Sequence, residues 1–185
     1  MRLIILGGPG SGKGTQAQRL SQQFAVPWIS TGEVLRAEVN AGTDLGKRVE
    51  ALLARGELAP DEMMIDFIKA RLQAVDAANG WVLDGYPRTA FQAEELDFFL
   101  DSVQQAVDYA VWLEVPAHVL IERSQNRGAI DDGPDALRRR IETALEVTTP
   151  MLDYYGYRHR LLKIDGNQSP NEVRREILEK LSPKS

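Results

Sequence analysis

Directly behind the short apolar run Leu3-Ile4-Ile5-Leu6 stands the segment Gly7-Gly8-Pro9-Gly10-Ser11-Gly12-Lys13-Gly14-Thr15. The apolar run reads as a buried strand, and the segment after it demands a tight strand-to-helix turn lined by backbone. Glycines tolerate positive φ and admit close approach, so successive N–H groups can face one concavity that accepts phosphate oxygens. A helix beginning near Lys13 adds the partial positive charge of its N-terminus, and the lysine ammonium reaches the outer phosphates. Gly7, Gly12 and Lys13 meet the spacing G-x-x-x-x-G-K, but Gly14 stands where a hydroxyl residue usually follows, with Thr15 one place later. A plain strand-to-helix turn needs neither five glycines nor a lysine in this register. The segment therefore predicts a site for a nucleoside triphosphate.

Leu3–Leu6 is the first of five apolar runs; Pro27–Ile29, Trp81–Leu83, Ala110–Val115 and Leu161–Ile164 follow, separated by helical patterns. Strand, helix, strand repeated over 185 residues predicts one α/β domain with a parallel sheet covered on both faces. Ligands in such folds bind outside the C-terminal ends of the strands, which is where the glycine segment and Asp84 fall. Between Thr31 and Asn79 the pattern is helical with no strand, punctuated by Gly42, Gly46, Gly56 and Pro60, and predicts a small helical insert. Gly128 to Pro134 is a short polar stretch between arginine-bearing helices and reads as a covering loop.

Composition narrows the function classes. The chain has no cysteine, which excludes disulfides and thiolate metal sites, a four-cysteine zinc lid among them. No apolar stretch approaches the length of a membrane span, and Met1-Arg2 leads straight into a strand, so the expected location is the cytoplasm with no membrane partner. A net charge of −5 argues against a broad nucleic-acid surface. Of the 22 basic residues all but six are arginine, whose planar fork suits phosphate, so positive charge can still be concentrated in one cleft.

Three further constellations bear on that cleft. Asp84-Gly85-Tyr86-Pro87-Arg88, with Gln92 four residues on, puts a carboxylate and an arginine at a strand end. Asp84 is expected to hold Mg²⁺ through its waters, because that ion gives up its hydration reluctantly and Gly14 supplies no hydroxyl. Thr89 to Gln92 also fits a helix capping box. Ser30-Thr31-Gly32-Glu33-Val34-Leu35-Arg36 follows another strand; Ser30 and Glu33 fit a second capping box, and Arg36 is placed to converge with Arg88 on one anion. Arg123 and Arg127, four apart on one helix face, flank the short loop together with Arg138, Arg139 and Arg140. A loop closing between them can bring cations over transferring phosphates.

These blocks, with Gly56-Glu57-Leu58-Ala59-Pro60-Asp61 and the late Ile164-Asp165-Gly166 turn, make the chain resemble the adenylate kinases almost end to end, in the short-lid bacterial form. The resemblance implies a three-layer α/β P-loop fold over residues 1–185, with a helical AMP-binding insert at 30–59 and a short lid at 126–136. It implies that Gly10, Ser11, Gly12, Lys13, Gly14 and Thr15 bind ATP phosphates, with Arg123, Arg127 and Gln168 at the same site. AMP falls to Thr31, Gly32, Arg36, Glu57, Leu58, Ala59, Gly85, Tyr86, Pro87, Arg88 and Gln92, and Arg140 to the phosphates. The implied catalytic set is Lys13, Arg88, Arg123, Arg127 and Arg140, acting on MgATP and AMP to give two ADP. A monomer is implied, as is lid movement.

One position departs from that pattern: the lid reads Gly128-Ala129-Ile130-Asp131-Asp132, with Ala129 where relatives carry an arginine. Losing one preorganised cation costs about 10²-fold in rate unless Arg138 or Arg139 replaces it, so a working enzyme with a weakened lid is expected. The attacking AMP phosphate is already an anion and needs no general base, which agrees with His118 and His159 standing in no recognisable triad. A UMP/CMP kinase is the near alternative; such relatives usually carry Ala at the Thr31 position and Asn at the Gln92 position. A sensor that binds AMP and ATP without transfer rests on Ala129 alone. A switch-type GTPase would want a hydroxyl at Gly14 and leaves Arg36 and Arg88 unexplained.

Overall fold

Leu3 and Ile5 point to one side of their strand and Ile4 and Leu6 to the other, and all four are buried, so this strand must be covered on both faces. The computed structural model describes residues 1–54, 60–125 and 134–182. It places that run, β1 (Arg2–Leu6), at the centre of a five-stranded sheet with β2 (Trp28–Ser30), β3 (Trp81–Asp84), β4 (Tyr109–Glu114) and β5 (Leu161–Asp165). The order is β2-β3-β1-β4-β5 and every neighbouring pair is parallel. All five apolar runs read from the sequence are strands, with ends shifted by a residue or so.

On one face α1 (Lys13–Phe24) and α8 (Pro170–Leu181) bury Ala17, Leu20, Val173 and Ile177 against Leu3, Ile5, Val82 and Val111. On the other, α4 (Asp61–Leu72), α5 (Ala90–Ser102) and α7 (Pro134–Tyr157) bring Ile65, Ile68, Leu96, Leu100, Met151 and Tyr155 onto Ile4, Leu6 and Leu83. Each fully buried aliphatic side chain contributes roughly 1.5–3 kcal/mol of transfer free energy. The two apolar faces of the strands thus drive the three-layer arrangement. Between Thr31 and Asn79 the described residues form α2 (Thr31–Asn40), α3 (Asp44–Ala54) and α4, then a 3-10 turn at Val75–Ala77, with no strand among them. Helix α6 (Ala117–Gln125) precedes the polar stretch, whose residues 126–133 lie outside the described residues. Among the described residues no helix is long and apolar enough to cross a membrane.

Two cap readings need correction. Ser30 is the N-cap of α2, but its side chain makes no capping hydrogen bond, so the box with Glu33 does not form. At α5 half of the box is present: Thr89 Oγ1 accepts from the Gln92 backbone N–H at 3.1 Å, while the Gln92 side chain bonds elsewhere. The complete box is at α8, where Ser169 and Glu172 cap each other and Pro170 opens the helix.

The chain leaves β1 through α1 toward β2 on one edge, and leaves β3 through α5 toward β4 on the other face. Neighbouring strands β1 and β3 thus send their C-terminal loops opposite ways, opening a crevice between them.

Candidate active site

The loop after β1 forms one wall of this crevice. Gly12 takes the N-cap position of α1 with φ 92°, leaving Lys13 as the first helical residue. The loop closes on itself through Ser11 N–H to Gly8 O at 3.1 Å and Gln16 N–H to Gly12 O at 3.1 Å. Lys13 Nζ donates to Gly8 O at 2.9 Å, so its ammonium lies back across the loop. At Gly10, φ is 81° and a Cβ would fall 2.8 Å from both Leu120 O and Ser124 Oγ; only glycine lets α6 pack directly on the loop. Ser11 is buried, and its Oγ has no hydrogen-bond partner among the described residues. The first backbone N–H groups of α1, which begins at Lys13, lack intrahelical partners and can take phosphate oxygens.

Asp84 ends β3, in register with Ile5 on β1 and Ser30 on β2, and is 9% exposed. Burial pushes its carboxyl above the usual range; the charges of Lys13 and Arg88 pull it down, and Glu33 adds to the rise. A Cβ at Gly14 would be 3.5 Å from Asp84 Oδ2. The missing side chain leaves open space before the carboxylate. Among the described residues no cluster of three or more acidic or histidine side chains forms a metal cage. One carboxylate facing a phosphate cradle is a donor set that fits Mg²⁺, which keeps several waters and takes substrate phosphate oxygens as ligands.

The second wall is the turn after β3, which includes the cis Tyr86–Pro87 bond. Gly85 has φ 86°, and a Cβ there would lie 2.5 Å from Thr31 Oγ1 and 3.5 Å from Arg88 Nη2. Thr31 Oγ1 donates to Asp84 O at 3.3 Å, tying the start of α2 to the end of β3. Arg88 Nε donates to Gly85 O at 2.7 Å, so the arginine curls over its own turn. Arg36 Nη1 lies 3.3 Å from where a Cβ of Gly32 would be. Thr31, Gly32, Arg36, Gly85 and Arg88 are thereby gathered by β2 and β3, beside the cradle rather than within it. Tyr86 is buried, its Oη donates to Gln92 O at 3.3 Å, and burial raises its phenol with Asp61 and Glu95 adding. Gln92 is also buried: its Oε1 accepts from the Arg88 backbone N–H at 2.7 Å and its Nε2 donates to Asp61 Oδ1 at 2.7 Å.

At the far end of the cradle, Arg123 Nη1 donates to Gly166 O at 3.0 Å, and its Nη2 reaches Asn167 Oδ1 at 3.5 Å. Gln168 Nε2 donates to Glu176 Oε2 at 2.8 Å and to Asp165 O at 3.2 Å. Arg123 therefore joins α6 to the turn between β5 and α8. Glu57, Leu58, Ala59 and Arg127 lie outside the described residues, as does Ala129. Arg140 belongs to α7, but its side chain lies outside what is described, as do those of Arg138 and Arg139.

Asp61 is a site residue that the sequence did not single out. An acidic residue in the first turn of a helix is accounted for by the helix dipole alone. Its bond to Gln92, 31 residues away, exists only because α4 packs on α5.

The sequence profile of the family described as adenylate kinase matches residues 5–160. The chain is similar to "Adenylate kinase 2" of Nostoc sp., 51% identical over 181 residues that cover 98% of each chain. It is similar to "Adenylate kinase 2" of Synechocystis sp. at 46%, covering 98% of this chain and 100% of the relative. "Adenylate kinase" of Xanthomonas campestris pv. campestris is 45% identical, with 96% and 97% covered.

Proposed function

The chain belongs to the adenylate kinase family, and we propose that it passes the γ-phosphoryl group of ATP to AMP, giving two ADP, across the crevice between β1 and β3. One observation carries this reading. A phosphate cradle with Lys13 after β1 and an arginine-bearing turn after β3 flank the buried carboxylate of Asp84, which supports an anion site on each side of the crevice.

On this reading Gly10 to Thr15 take the phosphates of ATP through backbone N–H groups, and Lys13 swings from Gly8 O to the outer phosphates. Thr31, Gly32, Arg36, Gly85 and Arg88 hold AMP, with Arg36 and Arg88 on its phosphate; Gln92 reads its base. Tyr86 and Pro87 shape the turn, and Glu57 to Ala59 supply backbone contacts. Arg123, Arg127 and Arg140 neutralise charge on the transferring group, and Gln168 closes the ATP side. Asp84 would hold Mg²⁺, through water, and the ion when bound would supply charge neutralisation for the phosphates. The AMP phosphate attacks as the anion it already is, so positioning and charge neutralisation supply the catalysis. A transferring phosphoryl group must be kept from water, which assigns closure to the helical insert of 30–59 and to the lid of 126–136. The enzyme acts as a monomer in the cytoplasm.

Initial rates of ADP formation from ATP with AMP, UMP or CMP as acceptor test the assignment. AMP is expected to be strongly preferred, consistent with Thr31 and with a carboxamide at Gln92; a preference for UMP would overturn it. ADP formation also separates an enzyme from a sensor, which would bind both nucleotides and make none.

A further inference from the structure

The Gln92 carboxamide is held at both ends by groups of fixed hydrogen-bonding sense. The Arg88 backbone N–H can only donate, so the atom 2.7 Å from it is an acceptor, Oε1. The Asp61 carboxylate accepts, so the atom 2.7 Å from its Oδ1 is a donor, Nε2. Turning the amide over would set two donors face to face at Arg88 and two acceptors face to face at Asp61. Gln92 is buried and both bonds are part-buried, so each mismatch would leave polar groups facing like partners with only partial access to water. Among the described residues, one hydrogen on Nε2 and one lone pair on Oε1 have no further protein partner.

We infer that Asp61 is a positioning residue that locks the Gln92 carboxamide in the orientation complementary to adenine and opposed to 6-oxopurines. The inference rests on the proposed role of Gln92 in reading the acceptor base. Adenine offers an acceptor at N1 and a donor at N6, which match the remaining Nε2 hydrogen and Oε1 lone pair. Hypoxanthine and guanine offer the reverse, a donor at N1 and an acceptor at O6. Against the locked amide their edge meets donor with donor and acceptor with acceptor. Accepting them requires the flip that Asp61 and Arg88 N–H oppose. Specificity then lies in a penalty on the wrong base as much as in contacts to the right one.

The test compares kcat/KM for AMP and for IMP in the wild type and in Asp61→Ala, Asp61→Asn and Gln92→Ala. Asp61→Ala removes the acceptor, and the AMP-to-IMP ratio is expected to fall by at least about tenfold. KM for the acceptor should move more than kcat. Asp61→Asn fills the same space but can turn its amide to donate as well as accept, so it leaves the Arg88 N–H as the one group of fixed sense and is expected to lower the ratio despite being isosteric, which a merely structural role would not predict. Asp61→Ser is one bond too short to reach Gln92 and suits a helix start, so it gives the same readout if Asp61→Ala does not fold. A ratio unchanged in Asp61→Ala or Asp61→Ser but lost in Gln92→Ala would overturn the lock and leave Gln92 as the base reader. A ratio unchanged in Gln92→Ala as well would overturn both.

Discussion

Lys13 is the first residue of α1 and bridges the cradle to Gly8 O, so its charge can be removed without disturbing a packed interior. Lys13→Met is expected to lower kcat by about 10²-fold or more with a Tm near that of the wild type; near-normal turnover would remove the lysine from the mechanism. Gly85→Ala combines a left-handed backbone, costing roughly 1–2 kcal/mol, with a methyl group pressed onto Thr31 Oγ1. Steady-state kinetics should show KM for AMP rising more than KM for ATP, alongside a lower Tm. Asp97 tests electrostatics away from the crevice. It accepts from Tyr154 Oη at 2.9 Å and lies 3.8 Å from Arg158 Nε and 3.7 Å from Arg160 Nη1. Burial nevertheless outweighs the Tyr154 bond and both arginines, and with Asp101 it raises the carboxyl above 3.8. The folded chain then binds more protons than the unfolded one in the window opening at 3.8, so this group's contribution declines as pH rises through it. Asp97→Asn keeps an acceptor for Tyr154 and abolishes that slope. Melts from about pH 4 to neutrality should show a smaller fall in Tm, or a larger rise, for the variant than for the wild type; parallel curves would contradict the assignment.

Among elements, the α2–α3 pair depends on a single missing side chain. A Cβ at Gly46 would run into the backbone of Glu38 and Val39, which cannot yield as a side-chain tip can. Gly46→Ala is expected to cost about 1–3 kcal/mol and to weaken AMP more than ATP, since α2 carries Thr31 and Arg36. The proposed lid of 126–136 carries the departure at Ala129. Ala129→Arg is expected to raise kcat by up to about 10²-fold; an unchanged rate would show that the absent cation was not limiting. The strands were legible because each is a short apolar run bounded by Gly, Pro or polar residues, fully buried within the sheet, as with Trp81–Asp84, and only partly buried at the edge strand β5. The phosphate loop was legible because its donors are backbone and its glycines adjoin in sequence. The Ser30 cap was misread because a suitable side chain at a helix start does not oblige it to turn back: the Thr31 hydroxyl beside it bonds to Asp84 instead. Contacts between distant elements left no local mark: Asp61 with Gln92, or Asp97 with Tyr154, depend on how α4, α5 and α7 pack.

Over the whole molecule, an acidic chain directs Lys13, Arg36, Arg88 and Arg123 toward the C-terminal side of one parallel sheet, where β1 and β3 send their loops apart. That topology separates the two proposed anion sites, with the carboxylate of Asp84 between them. Two sites on one crevice imply direct transfer between two nucleotides held at once. ATP labelled in its γ-phosphate, incubated with AMP and followed at initial rate, distinguishes such transfer from hydrolysis. The label is expected in the β-phosphate of ADP, with two ADP formed for each ATP consumed and no requirement for any third substrate. Label released as inorganic phosphate, or no AMP-dependent turnover with both nucleotides bound, would contradict it.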